Sequence, residues 1–113
     1  QPLSEQAIAR ALAENKRVFV DVTADWCVTC KANKYNVLLR DDVQDALSAP
    51  DVVALRGDWS RPSDTISQFL TTRGSAAVPF NQIYGPGLPQ GHVLPALLSR
   101  EAVLSTLSDA KGK

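Results

Sequence analysis

Residues 18 to 22 read VFVDV, with β-branched or aromatic side chains at both odd and even positions of an extended run. A strand that points apolar groups to both faces is stable only inside a sheet covered on both sides. Around it the pattern alternates. Residues 4 to 15 place Ala7, Ile8, Ala11 and Leu12 at helical spacing behind Ser4, a candidate N-cap. A helix is expected from about Val28 to Leu39, and Asp41-Asp42 is read as the cap of a short one carrying Val43 and Leu47. Pro50 ends it, and DVVAL, 51 to 55, reads as a second buried strand.

A helix with Ile66, Phe69 and Leu70 on one face follows Pro62 and stops at Gly74. VPFNQIYG, 78 to 85, is expected as a third strand, joined by the turn GPGLPQG to a short edge strand around His92 to Leu94. Ser99 caps a last helix with Val103, Leu104 and Leu107 inward, and 109–113 is expected to fray. Strand–helix alternation in the first half implies parallel pairing, and the late Gly/Pro turn implies an antiparallel hairpin. The expected fold is therefore α/β, a central mixed β-sheet flanked by helices on both faces. Its 113 residues suffice for one domain, 1–113, with 1–15 as an N-terminal helical extension.

Charge narrows the function. Twelve Lys plus Arg balance twelve Asp plus Glu, which argues against a nucleic-acid binder relying on a clustered basic surface. No stretch approaches the ~20 apolar residues of a membrane span. The chain opens QPLSEQAIAR, with neither Met nor a basic-apolar leader, so it is expected to be an excised or processed part of a longer product.

The chemistry concentrates in VDVTADWCVTCKAN, 20 to 33, which holds both cysteines. A structural zinc site takes four Cys or His ligands, and this chain has two Cys and one His, His92, about sixty residues away. No metal is expected; a half site shared with another chain, or a copper ion, is the exception kept open. A purely structural disulfide over so short a loop contributes only about 2 kcal/mol or less. A redox couple fits better. Cys27 follows the strand exit where a helix begins, so its thiolate faces unpaired N–H groups and the positive end of the helix dipole. Such placement lowers a thiol pKa from roughly 8.5 to about 7 or below. Cys30 lies one helical turn on, giving an exposed attacking sulfur and a sheltered resolving one. No cofactor besides the Cys27–Cys30 couple is required.

Asp21 is out of place inside VFVDV, because an unpaired buried charge is costly. Burial raises its pKa, so it can exchange a proton with the nearby thiol close to neutrality; a solvated strand face is the alternative. Asp25 reads as a loop residue paired with a nearby lysine. Trp26, beside Cys27, offers an apolar partner contact, with Val28 and Thr29 between the cysteines on the same approach. Trp59 either frames that surface or enters the core, and Tyr35 and Phe69 read as core or helix-face residues without chemistry.

The segment VFVDVTADWCVTCK resembles the active site of the thioredoxin superfamily, and Ala77-Val78-Pro79 resembles its cis-proline loop. ADWCVTCKANK, GDWSRPSDTISQFL, AAVPFNQIYGPG and HVLPALLSREAVLSTL are similar, in order, to the carboxy-terminal periplasmic domain of DsbD-type thiol:disulfide interchange proteins, with the ScsB branch nearest. The resemblance covers residues 16 to 108. It implies a thioredoxin fold with Cys27 as nucleophile, Cys30 as resolving thiol, Asp21 as the acid beneath them and Pro79 as the cis residue. Val78 then presents its backbone to an extended partner.

The resemblance also implies a disulfide reductase on the periplasmic side of the bacterial inner membrane. Electrons would come from a transmembrane domain of the same polypeptide and pass to a thioredoxin-like or DsbD N-terminal-like acceptor. An oxidase or isomerase, or a copper- or client-binding module, are the alternatives. One position departs: DsbD carries an acid four residues after the second cysteine, where this chain has Lys34, and a cation there favours the Cys27 thiolate unless Asp25 offsets it.

Overall fold

The structure, a computed structural model, describes residues 2 to 112. Ser4 caps α1 (Glu5–Ala13) through its side chain, which accepts from the Ala7 N–H at 3.0 Å. The chain then enters β1 (Arg17–Thr23), turns into α2 (Val28–Asn33), and continues as a π-helical stretch over Lys34–Leu38. Next come α3 (Asp41–Leu47), β2 (Val52–Asp58), α4 (Asp64–Thr72), β3 (Phe80–Gly85), β4 (Leu88–Val93) and α5 (Arg100–Lys111). The sheet order is β2-β1-β3-β4, with β1 and β2 parallel and the β1–β3 and β3–β4 pairs antiparallel. The mixed sheet expected from the sequence is present.

Alternation along β1 divides the core in two. Val18, Val20 and Val22, all fully buried, pack with Ile8 and Ala11 of α1 and with Phe69 and Leu70 of α4. Phe19 points the other way, to Val37, Val43 of α3, and Val103 and Leu107 of α5. Burying each such side chain contributes about 1.5–3 kcal/mol. Asp21 shares the Phe19 parity and lies on the α3/α5 face.

Four local expectations are corrected. The helix expected over Val28–Leu39 changes character at Lys34: the Leu39 N–H reaches back to the Lys34 carbonyl at 2.8 Å, an i→i+5 bond. The wider turn buries Val37 and leaves Lys34, Tyr35 and Asn36 outside, so Tyr35 is an exposed helix-face residue. Arg40, not the aspartates, occupies the N-cap of α3, and Asp41 and Asp42 lie in its first turn. GPGLPQG is not one long turn. Only Pro86 and Gly87 connect the strands, and β4 begins at Leu88, an edge strand that tolerates Pro89.

The expected frayed tail is helical through Lys111, and Ala110 is fully buried. The Gly87 N–H donates to the Ala110 carbonyl at 2.9 Å. Side chains at Gly85 or Gly87 would collide with the Ala110 or Asp109 carbonyls, so two glycines let the hairpin close on the helix end. Gln1 and Lys113, the limits of the expected domain and tail, lie outside the described residues.

Candidate active site

Both parallel strands leave the sheet at one edge. From Thr23 the chain makes a turn closed by the Cys27 N–H on the Ala24 carbonyl at 3.2 Å, and Cys27 becomes the N-cap of α2. Its sulfur accepts the Cys30 N–H at 3.1 Å. Cys27 and Cys30 form a disulfide with their Cα atoms 5.2 Å apart. In this oxidised state the two cysteines are equally buried as whole residues. Both residues are 6% exposed, because Ala24 and Val78 pack over the bonded pair. What separates them is the backbone donor aimed at Cys27.

Asp25 is exposed and, among the described residues, pairs with no lysine. Its backbone is what is held: its N–H donates to Ser60 Oγ at 2.8 Å, and Ser60 in turn donates its N–H and hydroxyl to Asp58 Oδ1.

Below the disulfide, a cleft of about 480 Å³ is lined by Asp21, Cys30, Lys34, Arg56, Pro79 and Asn81. Asp21 is half-buried rather than sealed. Burial pushes its carboxyl pKa above the usual range; the hydrogen bond from Asn81 Nδ2 at 2.9 Å, and then the charges of Arg56 and Lys34, pull it partly back. A carboxyl whose pKa burial raises thus shares a cleft with Cys30. Lys34 borders the same cleft, its ammonium 5.7 Å from the Tyr35 ring centroid, and its charge is among those that draw the Asp21 pKa down.

The Val78–Pro79 peptide is cis, and Val78 packs against the disulfide. Beside it runs a groove of about 440 Å³ between Trp26, Trp59, Arg61, Ala76, Ala77 and Val78. Trp26 and Val28 are 59% and 79% exposed, and Thr29 is partly buried. Trp59 does both things expected of it, resting on the α1/α4 core while lining this groove. His92 is exposed on β4, and among the described residues no three His, Cys, Asp or Glu side chains group as metal ligands.

A family model described as thioredoxin-like matches residues 1–86. The chain belongs to the thioredoxin-like family. Over 44 residues it is 48% identical to the thiol:disulfide interchange protein DsbD of Pseudoalteromonas atlantica, an alignment spanning 39% of this chain and 7% of that relative. The DsbD C-terminal domain of Neisseria meningitidis superposes with TM-scores of 0.73 in its reduced form and 0.74 in its oxidised form. Identity to each is 19% over 94% of this chain, covering 92% and 91% of those chains. A thioredoxin from Thermus thermophilus superposes at 0.64, with 24% identity over 95% of this chain and 82% of that one. At these identities the superpositions establish the fold.

In this thioredoxin-like frame, a Cys27–Cys30 disulfide at a helix start makes the chain a thiol–disulfide oxidoreductase. Four contributors went unread in the sequence. Asn81 and Arg56 flank Asp21 because the register places Asn81 opposite it on β3 and Arg56 opposite it on β2. The only hint of Asn81 was a polar residue inside the apolar run VPFNQIYG. Ser60 and Asn33 gave no local signal; their partners lie 35 and more than 60 residues away.

Proposed function

We propose that this domain is a disulfide reductase that relays two electrons from a membrane-embedded donor of the same polypeptide to a periplasmic thioredoxin-like acceptor. The observation that carries this reading is the Cys27–Cys30 disulfide capping α2, with Val78 packed on it and the Asp21 cleft beneath it. Similarity to a thiol:disulfide interchange protein supports it. In that reading the donor lies in the remainder of a longer chain; among the described residues no helix is long and apolar enough to cross a membrane.

In the reduced state the Cys30 N–H that now faces the Cys27 sulfur, with the helix start behind it, stabilises its thiolate. The thiolate attacks one sulfur of the acceptor disulfide, and the acceptor's other sulfur departs as a thiolate and takes a proton. Asp21 accepts the proton from Cys30, whose sulfur then attacks Cys27. The mixed disulfide breaks, the second acceptor thiol leaves, and Cys27–Cys30 reforms, so the acceptor gains two electrons and two protons. A dithiol on the donor returns the domain to its reduced form. Neither Val28 nor Thr29 carries an ionisable group to stabilise the thiolate further, which supports a reducing couple over a strongly oxidising one.

Two measurements test the proposal. A Cys30→Ser variant is expected to trap a covalent adduct between Cys27 and a disulfide-bearing protein, and failure to trap one refutes the exchange mechanism. Equilibration with glutathione is expected to give a potential well below that of a strong oxidant, and a value near roughly −120 mV would overturn the direction of electron flow.

A further inference from the structure

The helix that bears the cysteines is poorly equipped to hold itself in place. α2 has six residues, below the length at which a helix is stable alone, and only Cys30 and Asn33 among them are buried. No apolar stripe fastens it to the body. Cys30 packs with Ala24 and Val78. Asn33, 3% exposed, supplies the rest through hydrogen bonds. Its Nδ2 donates to the Ala96 carbonyl at 2.8 Å, and its Oδ1 accepts from the Leu98 N–H at 2.9 Å. One side chain thus grips the backbone on either side of Leu97, where the chain bends. Leu98 is buried in the core with Val37 and Ile83, so the grip is on a fixed point. Among the described residues no other side chain of α2 hydrogen-bonds beyond the helix.

Directional bonds do what apolar contact cannot. A donor and an acceptor on one planar amide fix both the position of the helix and its rotation about its own axis. Cys30 and Asn33 are three residues apart on one face of α2, and both line the cleft that holds Asp21. A rotation that freed Asn33 would carry the Cys30 sulfur away with it. In the oxidised state the disulfide staples Cys30 to the N-cap residue of its own helix. Reduction removes that staple and leaves the Asn33 clamp.

We infer that Asn33 is a positioning residue for the resolving step. It holds α2 in one rotation while the disulfide is open, so that the Cys30 sulfur stays beside the Asp21 cleft and within reach of Cys27 when Cys27 carries a partner. Misplacing a reacting atom by about 1 Å can slow a step within one molecule roughly 10²-fold. The first attack is bimolecular and uses the Cys27 sulfur alone. The clamp therefore acts on the second step and not on the first. This role rests on the exchange reading above.

The test oxidises the pre-reduced 113-residue chain with glutathione disulfide, quenches in acid and separates the species by mass. The Cys27 thiolate bonds to one glutathione sulfur and expels the other as a thiolate, which takes a proton. Cys30 then gives up its proton, attacks the Cys27 sulfur and expels the second glutathione. The chain loses two electrons and two protons, and two glutathione thiols form. Asn33→Ala is expected to slow decay of the mixed disulfide about ten-fold, while its formation stays within about two-fold of wild type. Looser closure also lowers the equilibrium constant for the internal disulfide about ten-fold, which raises the potential by about 30 mV. In the wild type, the Leu98 amide should remain protected from hydrogen exchange after reduction.

An unchanged decay of the mixed disulfide in Asn33→Ala overturns the inference, as does an equal slowing of both steps, the mark of a merely structural role. If Asn33→Ala fails to fold, the wild-type exchange measurement decides: a Leu98 amide that loses its protection on reduction shows that the clamp opens when it is needed. A wild-type chain that glutathione disulfide leaves reduced sinks the exchange reading itself, and the inference with it.

Discussion

Replacing Arg73 with alanine tests how the loop that carries Val78 is anchored. Arg73 ends α4, directly before the segment that leads to the cis peptide. Its guanidinium forks onto Glu5 of α1 at 2.7 and 2.8 Å, reaches Gln82 Oε1 at 2.9 Å and Tyr84 Oη at 3.0 Å on β3, and stacks 3.6 Å over the Phe69 ring. The exposed ion pair contributes about 0.5–1 kcal/mol. The cation–ring contact adds about 1. Charge-assisted bonds to the buried Gln82 and Tyr84 add about 1.5, kept modest because the Tyr84 hydroxyl still donates to Gln82 without Arg73. Together these predict a loss of about 3 kcal/mol, a Tm drop of roughly 10 °C for a domain of this size.

Urea unfolding of the wild type, Arg73→Ala, Arg73→Lys and Glu5→Gln separates the contributions. Lysine keeps the charge without the fork and should recover about half, whereas Glu5→Gln should cost no more than about 1 kcal/mol. The pH dependence has a fixed sign. The Arg73 hydrogen bond holds the Glu5 carboxyl below its ordinary 4.5 against a smaller opposing push from burial. A depressed carboxylate contributes stability above its unfolded pKa and loses it as pH falls through its folded one. The Arg73→Ala deficit should therefore shrink below pH 4.5, modestly, since the Glu5 side chain is 57% exposed. An Arg73→Ala loss no larger than that of Glu5→Gln would refute the reasoning, because the buried bonds would then contribute nothing net.

Asp21→Asn is expected to gain stability relative to wild type as pH rises. A carboxyl whose folded pKa lies above the ordinary 3.8 makes ionisation unfavourable to the fold, so wild type loses stability from that pH up through its folded pKa. Urea midpoints at acid and neutral pH check this, and a difference flat with pH contradicts it. Lys34→Glu is expected to raise the pKa of Asp21 and to move the ultraviolet thiolate titration of reduced Cys27 to higher pH, and coincident titration curves would remove Lys34 from the site's electrostatics. Gly87→Ala should destabilise by about 2 kcal/mol in a thermal melt, because the new methyl meets backbone at Asp109 and Gly112. A wild-type Tm would show that the hairpin and the end of α5 can separate freely.

Much of this was legible because it is local. The period of the apolar residues located β1, β2, β3 and the α-helices, while β4 was expected only around its end at His92 and Val93, and Ser4 and Ser99 were identifiable as caps from residue type and position. Cys27 at a helix start could likewise be read from a strand exit followed by helical spacing. Non-local features could not. GPGLPQG carries strong turn residues, yet Pro89 and Gly91 sit in β4, where an edge strand has no second neighbour to demand the N–H that Pro89 lacks. DAKGK looks like a loose end, yet burial of Ala110 in the core and the Gly87 N–H, from a hairpin some twenty-five residues earlier, hold it. The equal burial of the two cysteines depends on Val78, which no spacing rule places over them.

The same contrast explains why the site stands where it does. β1 and β2 run in parallel and pair Thr23 with Asp58, so both exit the sheet at one edge. β3 runs against β1 and pairs Phe80 with Val22, so it enters at that edge. Three connections, bearing Cys27, Ser60 and Val78, must therefore meet, whatever their side chains. Topology supplies the proximity, and the polar residues then adjust it: Ser60 holds the Asp25 backbone, Asn81 holds the Asp21 carboxylate, and Asn33 holds the bend at Leu97. Substitutions at Ser60 and Asn33 should consequently change how the cysteines work more than whether the sheet forms, since neither side chain bonds a strand backbone, whereas Asn81 Nδ2 also donates to the Val20 carbonyl of β1 at 3.3 Å.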